Sequence, residues 1–475
     1  MNTMSALSVN SGYNLDSIST VFCFLFFFFT AMFSLFSLLL FILRLRPWCN
    51  CHVCRSFLTS SWTKDFANFC DWYAHLLRKS PTGTIHIHVL GNIVTSNPEN
   101  VEYMLKTRFD NYPKGKPFTV LLGDLLGRGI FNVDGDMWRF QRKMASLELG
   151  SVTVRSHALE VVTAEIQSRL IPAHGLGCLE PSLPISKFAD AFDLASKLSA
   201  ERAMTSSPVF WKIKRFFNVG SEKQLKEAVR IIDDQAKEVI KQRREKGYVA
   251  KNDLLSRFMA IVNDDDQYLR DIVVSFLLAG RDTISSGLTS LFYLLSQHPE
   301  VTRAIREESD RVMGRAGAIP SFEQMREMHY LHAVLYETMR LFPPVQFDSK
   351  FCQEDDVLPD GTFVKSGTRV TYHPYAMGRM ESIWGPDCLD FKPERWLKNG
   401  VYSPVSPYKY PVFQGGDRVC LGKELALVEM KCVAAALVGR FDIRVSQPGQ
   451  APRFAPGLTA TVRGGLRVRV EERRG

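Results

Sequence analysis

The residues Phe413-Gln414-Gly415-Gly416-Asp417-Arg418-Val419-Cys420-Leu421-Gly422 follow the pattern F-x-x-G-x-R-x-C-x-G. The chemistry that suits them is ligation of haem iron by a cysteine thiolate, which pushes electron density into the metal and favours O–O cleavage. Such a sulfur must sit in a rigid loop, screened from water, with backbone N–H groups aimed at it. Phe413 opens the loop. Gly416 and Gly422 permit close backbone approach, and Arg418 can neutralise a propionate. The rival is a buried structural cysteine in a Gly-rich turn.

Upstream, Asp271 to Gln297 is apolar nearly all round, the pattern of a helix through the middle of a large domain. Ala279-Gly280-Arg281-Asp282-Thr283 interrupts it. A small residue and a glycine in mid-helix leave room for dioxygen, and a threonine hydroxyl can bend the helix by bonding back to a carbonyl. The rival is a Gly280 that merely allows tight helix packing.

Two further patterns count only through their order. Six E-x-x-R tetrads occur, starting at Glu227, Glu300, Glu308, Glu323, Glu337 and Glu471; such pairs commonly decorate solvated helices. Only Glu337-Thr338-Met339-Arg340 lies in a Leu-rich run that stops at Pro343-Pro344, ahead of Pro393-Glu394-Arg395-Trp396 and the cysteine loop. Trp138-Arg139-Phe140-Gln141-Arg142 precedes the central run.

Together these stretches resemble the cytochrome P-450 family. The resemblance implies haem b with Cys420 on the iron. It implies Trp138, Arg142 and Arg418 on the propionates, and oxygen activation by Asp282 and Thr283. Glu337, Arg340 and Arg395 would form a buried network bracing the cysteine loop; buried charges survive only when paired. Microsomal members take electrons from NADPH–cytochrome P-450 reductase. No G-x-G-x-x-G lies between a strand and a helix here, so the electrons must come from outside.

The 475 residues, 45% of them hydrophobic, suffice for one large domain. Helical patterns dominate, with strand-like pieces at 84–89, 361–371 and 459–470. The expected fold is mainly α with a small β part: a cytochrome P-450 fold preceded by a transmembrane helix, with an anchor at 1–46 and a catalytic domain at 47–475. Val21 to Leu43 holds 23 uncharged residues, about 34 Å of helix against a bilayer core of about 30 Å. No Lys or Arg precedes it, and Arg44 and Arg46 follow. That excludes the basic start of a cleaved signal peptide and leaves the catalytic domain in the cytosol. The family places such a single-pass anchor in the endoplasmic reticulum membrane.

A cytosol-facing domain keeps its cysteines reduced. Cys49-Asn50-Cys51-His52-Val53-Cys54 looks like half a zinc site with no second half following. It reads as a neutral patch beside the membrane, S-acylation being the other use open to it. The net charge of +9 comes from scattered basic residues rather than a stripe, which argues against nucleic acid. Arg139, Arg142, Lys143, Lys423 and Lys431 are instead expected around the thiolate side of the haem, where they could steer an acidic electron donor.

Asn111–Phe118, Gly127–Asp136, Asp360–Phe363, Thr371–Arg379 and Pro456–Gly465 resemble the plant branch that oxidises fatty acids at or near the ω-end. Some of its members oxidise jasmonoyl-isoleucine. The expected substrate is therefore a small lipophilic carboxylic acid, in an apolar pocket with a polar entrance. By position, Phe118, Leu121, Leu122 and Leu125 would line it before Trp138. Phe276, Ala279 and Thr283 would do so from the central helix, Val345 and Phe347 after the Pro pair, and Leu458 near the end.

Two departures stand out. Pro172–Pro184 replaces a core helix that the family carries, and losing one costs more than a domain's margin of about 5–15 kcal/mol. An inactive product is then one alternative. Asp417, often proline in this branch, could weaken Arg418's hold on a propionate. A haem-thiolate isomerase or dehydratase is the other alternative, disfavoured because such relatives disrupt A-G-x-D-T and lack an anchor.

Overall fold

The structure is a computed structural model and describes residues 15–45, 49, 51–170, 187–205, 208–247, 253–262, 265–314, 319–447, 449, 451–455 and 457–473. The shortened segment 172–184 lies outside the described residues. The chain divides into two compact units, Met1–Ser60 and Ser61–Gly475.

In the first unit, Leu15–Leu45 is one unbroken helix. Its stretch Phe22–Leu39 has a mean hydropathy of 2.3 with no part buried against protein, and is long and apolar enough to cross a membrane. A second helix, His52–Thr59, starts at Cys51, whose sulfur accepts from the Cys54 N–H, and ends at Ser60 in the left-handed region.

The second unit is mainly helical with a small sheet. The central helix runs longer than its apolar pattern predicts, from Asp266, because Asp265 caps it by accepting from the Tyr268 N–H at 2.9 Å. It continues through a wide turn at Leu278–Asp282 into Thr283–Gln297. Around its second half pack Pro299–Met313, His329–Leu341 and Lys423–Arg440, sharing one apolar core that includes Leu291, Leu295, Ile305, Leu335, Trp396 and Leu427. A Cβ at Gly287 would sit 2.7 Å from the Met430 Cε, so that glycine lets the central helix approach the helix after the cysteine loop.

The three strands Thr84–Ile87, Asn92–Thr95 and Arg369–Tyr372 are rich in β-branched residues, which suit a pleated sheet. Thr84–Ile87 pairs antiparallel with Asn92–Thr95, which runs parallel to Arg369–Tyr372; Asp348–Phe351 closes the far edge antiparallel. The strand expected over 84–89 turns at His88–Leu90. That expected over 361–371 is cut by Gly367 at φ +79°, and that over 459–470 by Gly464 and Gly465. Glycine there permits the left-handed turns that break the ladders.

Candidate functional site

The cysteine loop is fixed by backbone constraints. Gln414 and Gly416 lie at φ +62° and +57°, and a Cβ at Gly416 would fall 1.9 Å from the Leu105 carbonyl oxygen. The Cys420 N–H donates to the Phe413 carbonyl at 2.8 Å, closing the loop just before Lys423–Arg440. Cys420 is solvent-accessible, yet protein surrounds it densely enough that burial raises its thiol pKa. The Gly422 and Lys423 N–H groups and the charges of Arg142 and Lys423 pull it back down. These are the groups that stabilise a thiolate. A Cβ at Gly422 would meet nothing within 4 Å, so that glycine leaves the face beside the sulfur open.

Trp138 is buried on helix Gly135–Leu149. Arg418 stacks 4.5 Å from its ring and Arg142 5.6 Å. Arg142 donates to the Val419 carbonyl at 2.8 Å. Arg418 donates to Asp134 at 2.6 Å and to the Val133 carbonyl at 3.1 Å, while its buried Nε meets no acceptor among the described residues. Asp417 acts on Arg142, favouring its charge; the acid that competes for Arg418 is Asp134.

Beside Arg418 lies a buried charge cluster that the motifs did not reveal. Lys114 and Lys350 both grip Asp348, the latter at 3.1 Å, and the Tyr372 hydroxyl donates to it at 3.0 Å. Burial alone would raise the Asp348 pKa, but the two lysines hold it well below the usual carboxylate range. Burial drives the Lys350 ammonium down to about 7, against the pull of Asp348 and with Lys114 and Arg418 adding to the effect. A readable signal existed: Asp348 and Lys350 sit two apart on one strand, hence on one face. Lys114, Lys350, Arg142 and Arg418 still outnumber Asp348, Asp134 and Asp417. A planar group carrying two carboxylates fits this cationic excess, the orphaned Arg418 Nε and the open side of Cys420, and haem is such a group.

On the central helix, the Thr283 hydroxyl donates to the Ala279 carbonyl at 2.7 Å, inside the wide turn. A Cβ at Gly280 would meet nothing within 4 Å. Asp282 takes a bond from Arg281 at 2.8 Å, and Arg281 also bonds Asp193 at 2.7 Å. Burial raises the Asp282 pKa, opposed by Arg281 and assisted by Asp193.

Glu337 and Arg340 are wholly buried. The Arg340 fork meets both Glu337 oxygens at 2.7 and 2.8 Å. Glu337 also accepts from Trp396 Nε1 at 2.8 Å, the Lys392 N–H at 2.9 Å and Arg395 Nε at 3.3 Å. Arg340 donates onward to the Cys388, Asp390 and Gly378 carbonyls. From this network an aromatic path runs through Trp396, Tyr410 and Tyr336 to Phe413 at the head of the cysteine loop.

The residues expected around a pocket separate. Leu122 and Leu125 are buried core, packed with Phe192, Val274 and Leu278; Phe118, Leu121 and Leu458 are partly buried at the edge of that cluster. Phe276 lies elsewhere, in the cluster of Ile240, Phe258 and Leu269, because it points to the other side of its helix from Leu278. The segment carrying Leu458 is tied in by the Ala460 N–H to the Pro344 carbonyl at 2.8 Å and by Ser286 to the Ala460 carbonyl at 2.6 Å. That sets Val345 beside the central helix, while Phe347 packs on His373. Among the basic residues, Lys143 is exposed, but Lys431 is buried and donates to the Met325 carbonyl at 2.6 Å. It sits on the inward face of its helix and is not part of a docking surface.

Residues 180–465 match the family model described as Cytochrome P450. The chain is 59% identical to Cytochrome P450 94C1 of Arabidopsis thaliana over 485 aligned positions, covering 94% of this chain and 98% of that protein. It is 44% identical to Cytochrome P450 94B1 of Arabidopsis thaliana, covering 87% and 89%, and 40% identical to Cytochrome P450 94A1 of Vicia sativa, covering 87% and 88%. The 485 positions exceed the 475 residues of this chain, so the Arabidopsis relative carries residues with no counterpart here. The family implies a haem-thiolate cofactor and, in general, a reductase partner. The chain belongs to the cytochrome P450 family and is a mainly helical monooxygenase of its plant 94 branch.

Proposed function

We propose that the chain uses O2 and electrons from NADPH, delivered by NADPH–cytochrome P450 reductase, to hydroxylate the terminal region of a fatty acid or of a jasmonoyl–amino-acid conjugate. Bound haem would supply the oxidising iron, with Cys420 as its thiolate ligand. Trp138, Arg142, Arg418, Lys114 and Lys350 would hold its carboxylates. Phe413, Gly416 and Gly422 would shape the loop, and Glu337, Arg340 and Arg395 would brace it.

The observation that carries the reading is the Thr283–Ala279 bond within the wide turn. It takes up the threonine hydroxyl locally and frees the helix at Gly280, leaving an open side where a small molecule and a proton path fit. Asp282, its pKa raised by burial, is suited to hold and release a proton there. An isomerase needs neither feature. Ala279, Phe118, Leu121, Val345 and Leu458 would form the apolar wall. On the outer face of helix Gly115–Leu126 an open pocket is lined by Thr119, Trp211, Lys212 and the ion pair of Arg215 with Asp124 at 2.8 Å, and Lys212 is the cation there that suits the entry of a carboxylate. An apolar wall distinguishes one methylene by only about 1–3 kcal/mol, so wall and entrance together set the class rather than the carbon attacked. The helix Leu15–Leu45 would anchor the chain in the endoplasmic reticulum membrane with the second unit in the cytosol.

The test is the reduced, carbon-monoxide-bound difference spectrum in microsomes, followed by turnover of both substrate classes with and without NADPH. A band at about 450 nm and NADPH-dependent ω-hydroxylation support the reading. Turnover independent of NADPH points to the isomerase. A band at about 420 nm, or none, points to a product that the shortened 172–184 segment leaves inactive.

A further inference from the structure

Outside the oxygen-activating site, one group of side chains has the chemistry of a second site. Cys49, Cys51 and Cys54 fall within six residues, in the pattern C-x-C-x-x-C. In the first unit their sulfurs converge: Cys49 Sγ lies 3.6 Å from Cys51 Sγ and 3.4 Å from Cys54 Sγ, and all three are within 4.8 Å of one another. Sulfurs that share one zinc ion at about 2.3 Å each lie about 3.8 Å apart, which these separations approach.

We propose that Cys49, Cys51 and Cys54 bind one thiophilic d10 cation, zinc(II) or copper(I), between the apolar helix Leu15–Leu45 and the helix His52–Thr59.

The local backbone favours the charged sulfurs the ion requires. Cys51 caps the helix His52–Thr59 and its sulfur accepts the Cys54 N–H at 3.4 Å. The first turn carries no acid, so the positive helix end acts on the thiolates unopposed. Three ligands from six consecutive residues chelate with little chain ordering. The other uses of these thiols fit less well. Cys54 is fully buried, which keeps an acyl-transfer donor from reaching it, and a sulfur separation of 3.4 Å is far from the roughly 2.05 Å of a disulfide. Three thiolates leave zinc one position for water or a further ligand, and satisfy copper(I) in a trigonal plane. Binding releases the thiol protons and closes a ring over residues 49–54, stiffening the exit from the apolar helix.

The full-length protein, purified in detergent without chelator, is tested by elemental analysis and by X-ray absorption at the zinc and copper edges, which the haem iron does not obscure. The expected result is about one zinc or copper per chain, with three sulfur neighbours at about 2.3 Å for zinc. The edge that responds tells the two cations apart. Cys51→Ser should lower the sulfur count by one. The triple variant C49S/C51S/C54S should lose the metal while keeping the 450 nm band, since none of the three is among the residues assigned to hold the haem. Metal retained by the triple variant, fewer than two sulfur neighbours, or an intact mass showing a thioester or disulfide on these cysteines would overturn the proposal. These outcomes are independent of whether the enzyme oxidises either substrate class.

Discussion

Thr283 turns its hydroxyl onto the Ala279 carbonyl 2.7 Å away, four residues back, while a Cβ on Gly280 between them would meet nothing within 4 Å among the described residues. The hydroxyl thus serves the backbone, and in the proposed reaction it would also stand on the proton path. Thr283→Ala removes both services but little volume. The expected outcome is NADPH consumption that continues while product per NADPH falls by about 10²-fold, the surplus appearing as hydrogen peroxide. Thr283→Ser keeps a hydroxyl and should restore most of the coupling. Equal product per NADPH in all three proteins would remove Thr283 from the proton path.

Glu337 accepts five hydrogen bonds at full burial. Glu337→Gln keeps the shape but leaves the wholly buried Arg340 guanidinium without its counter-charge and weakens the hold on Arg395, at a cost of about 3–5 kcal/mol. Against a margin of about 5–15 kcal/mol, haem loading should collapse. Glu323, also first in an E-x-x-R tetrad, is exposed, and Glu323→Gln should shift stability by no more than about 0.5 kcal/mol. Thermal unfolding and haem content of the two variants make the comparison.

Lys350 gives a pH signature. Burial holds its ammonium at about 7, well under the ordinary lysine value of about 10.4. A haem carboxylate placed beside it would favour the charged form and raise that pKa again. The haem-bound state then holds more protons than the haem-free state above pH 7. By linkage, haem affinity must fall as pH rises from about 7 toward the loaded pKa, and be flat below 7. Haem transfer to apomyoglobin, followed from pH 6 to 9, should therefore speed up with pH. Lys350→Met should abolish the slope. A slope unchanged in the variant would place Lys350 away from the carboxylates.

How much of this was legible in the sequence depends on how local the cause is. The cysteine loop, the A-G-x-D-T turn and the Glu337 tetrad could be read because each is a short pattern whose spacing carries its chemistry. The central helix and the long apolar helix near the N-terminus followed from apolar periodicity and length. Lys114 and Asp348 are 234 positions apart; the pairing of Asp348–Phe351 with Arg369–Tyr372 and the Phe351 N–H bond to the Pro113 carbonyl at 2.9 Å set their cluster in place. Phe276 and Leu278 look alike in sequence, yet two positions on a helix turn them to different clusters. Three sulfurs in C-x-C-x-x-C read as half a site because the pattern does not say that a helix start draws them together.

Lys143 and Lys431 separate surface steering from burial. Both were expected to attract an acidic electron donor, but only Lys143 is exposed, while Lys431 bonds the Met325 carbonyl inside the fold. A rim charge acts mainly on encounter rate and its salt dependence. Lys143→Glu should therefore raise the KM for the reductase severalfold at low salt, with kcat at saturating reductase unchanged. The difference should shrink toward about 0.5 M salt, where screening lengths drop below about 5 Å. Lys431→Met should leave that KM alone and instead lower thermal stability, because it strips a buried carbonyl of its donor at about 1–3 kcal/mol. Reductase titrations of both variants at two salt concentrations, with a melting curve for each, decide the matter. A salt-sensitive KM effect from Lys431→Met would mean that the buried lysine reaches the surface when the reductase docks.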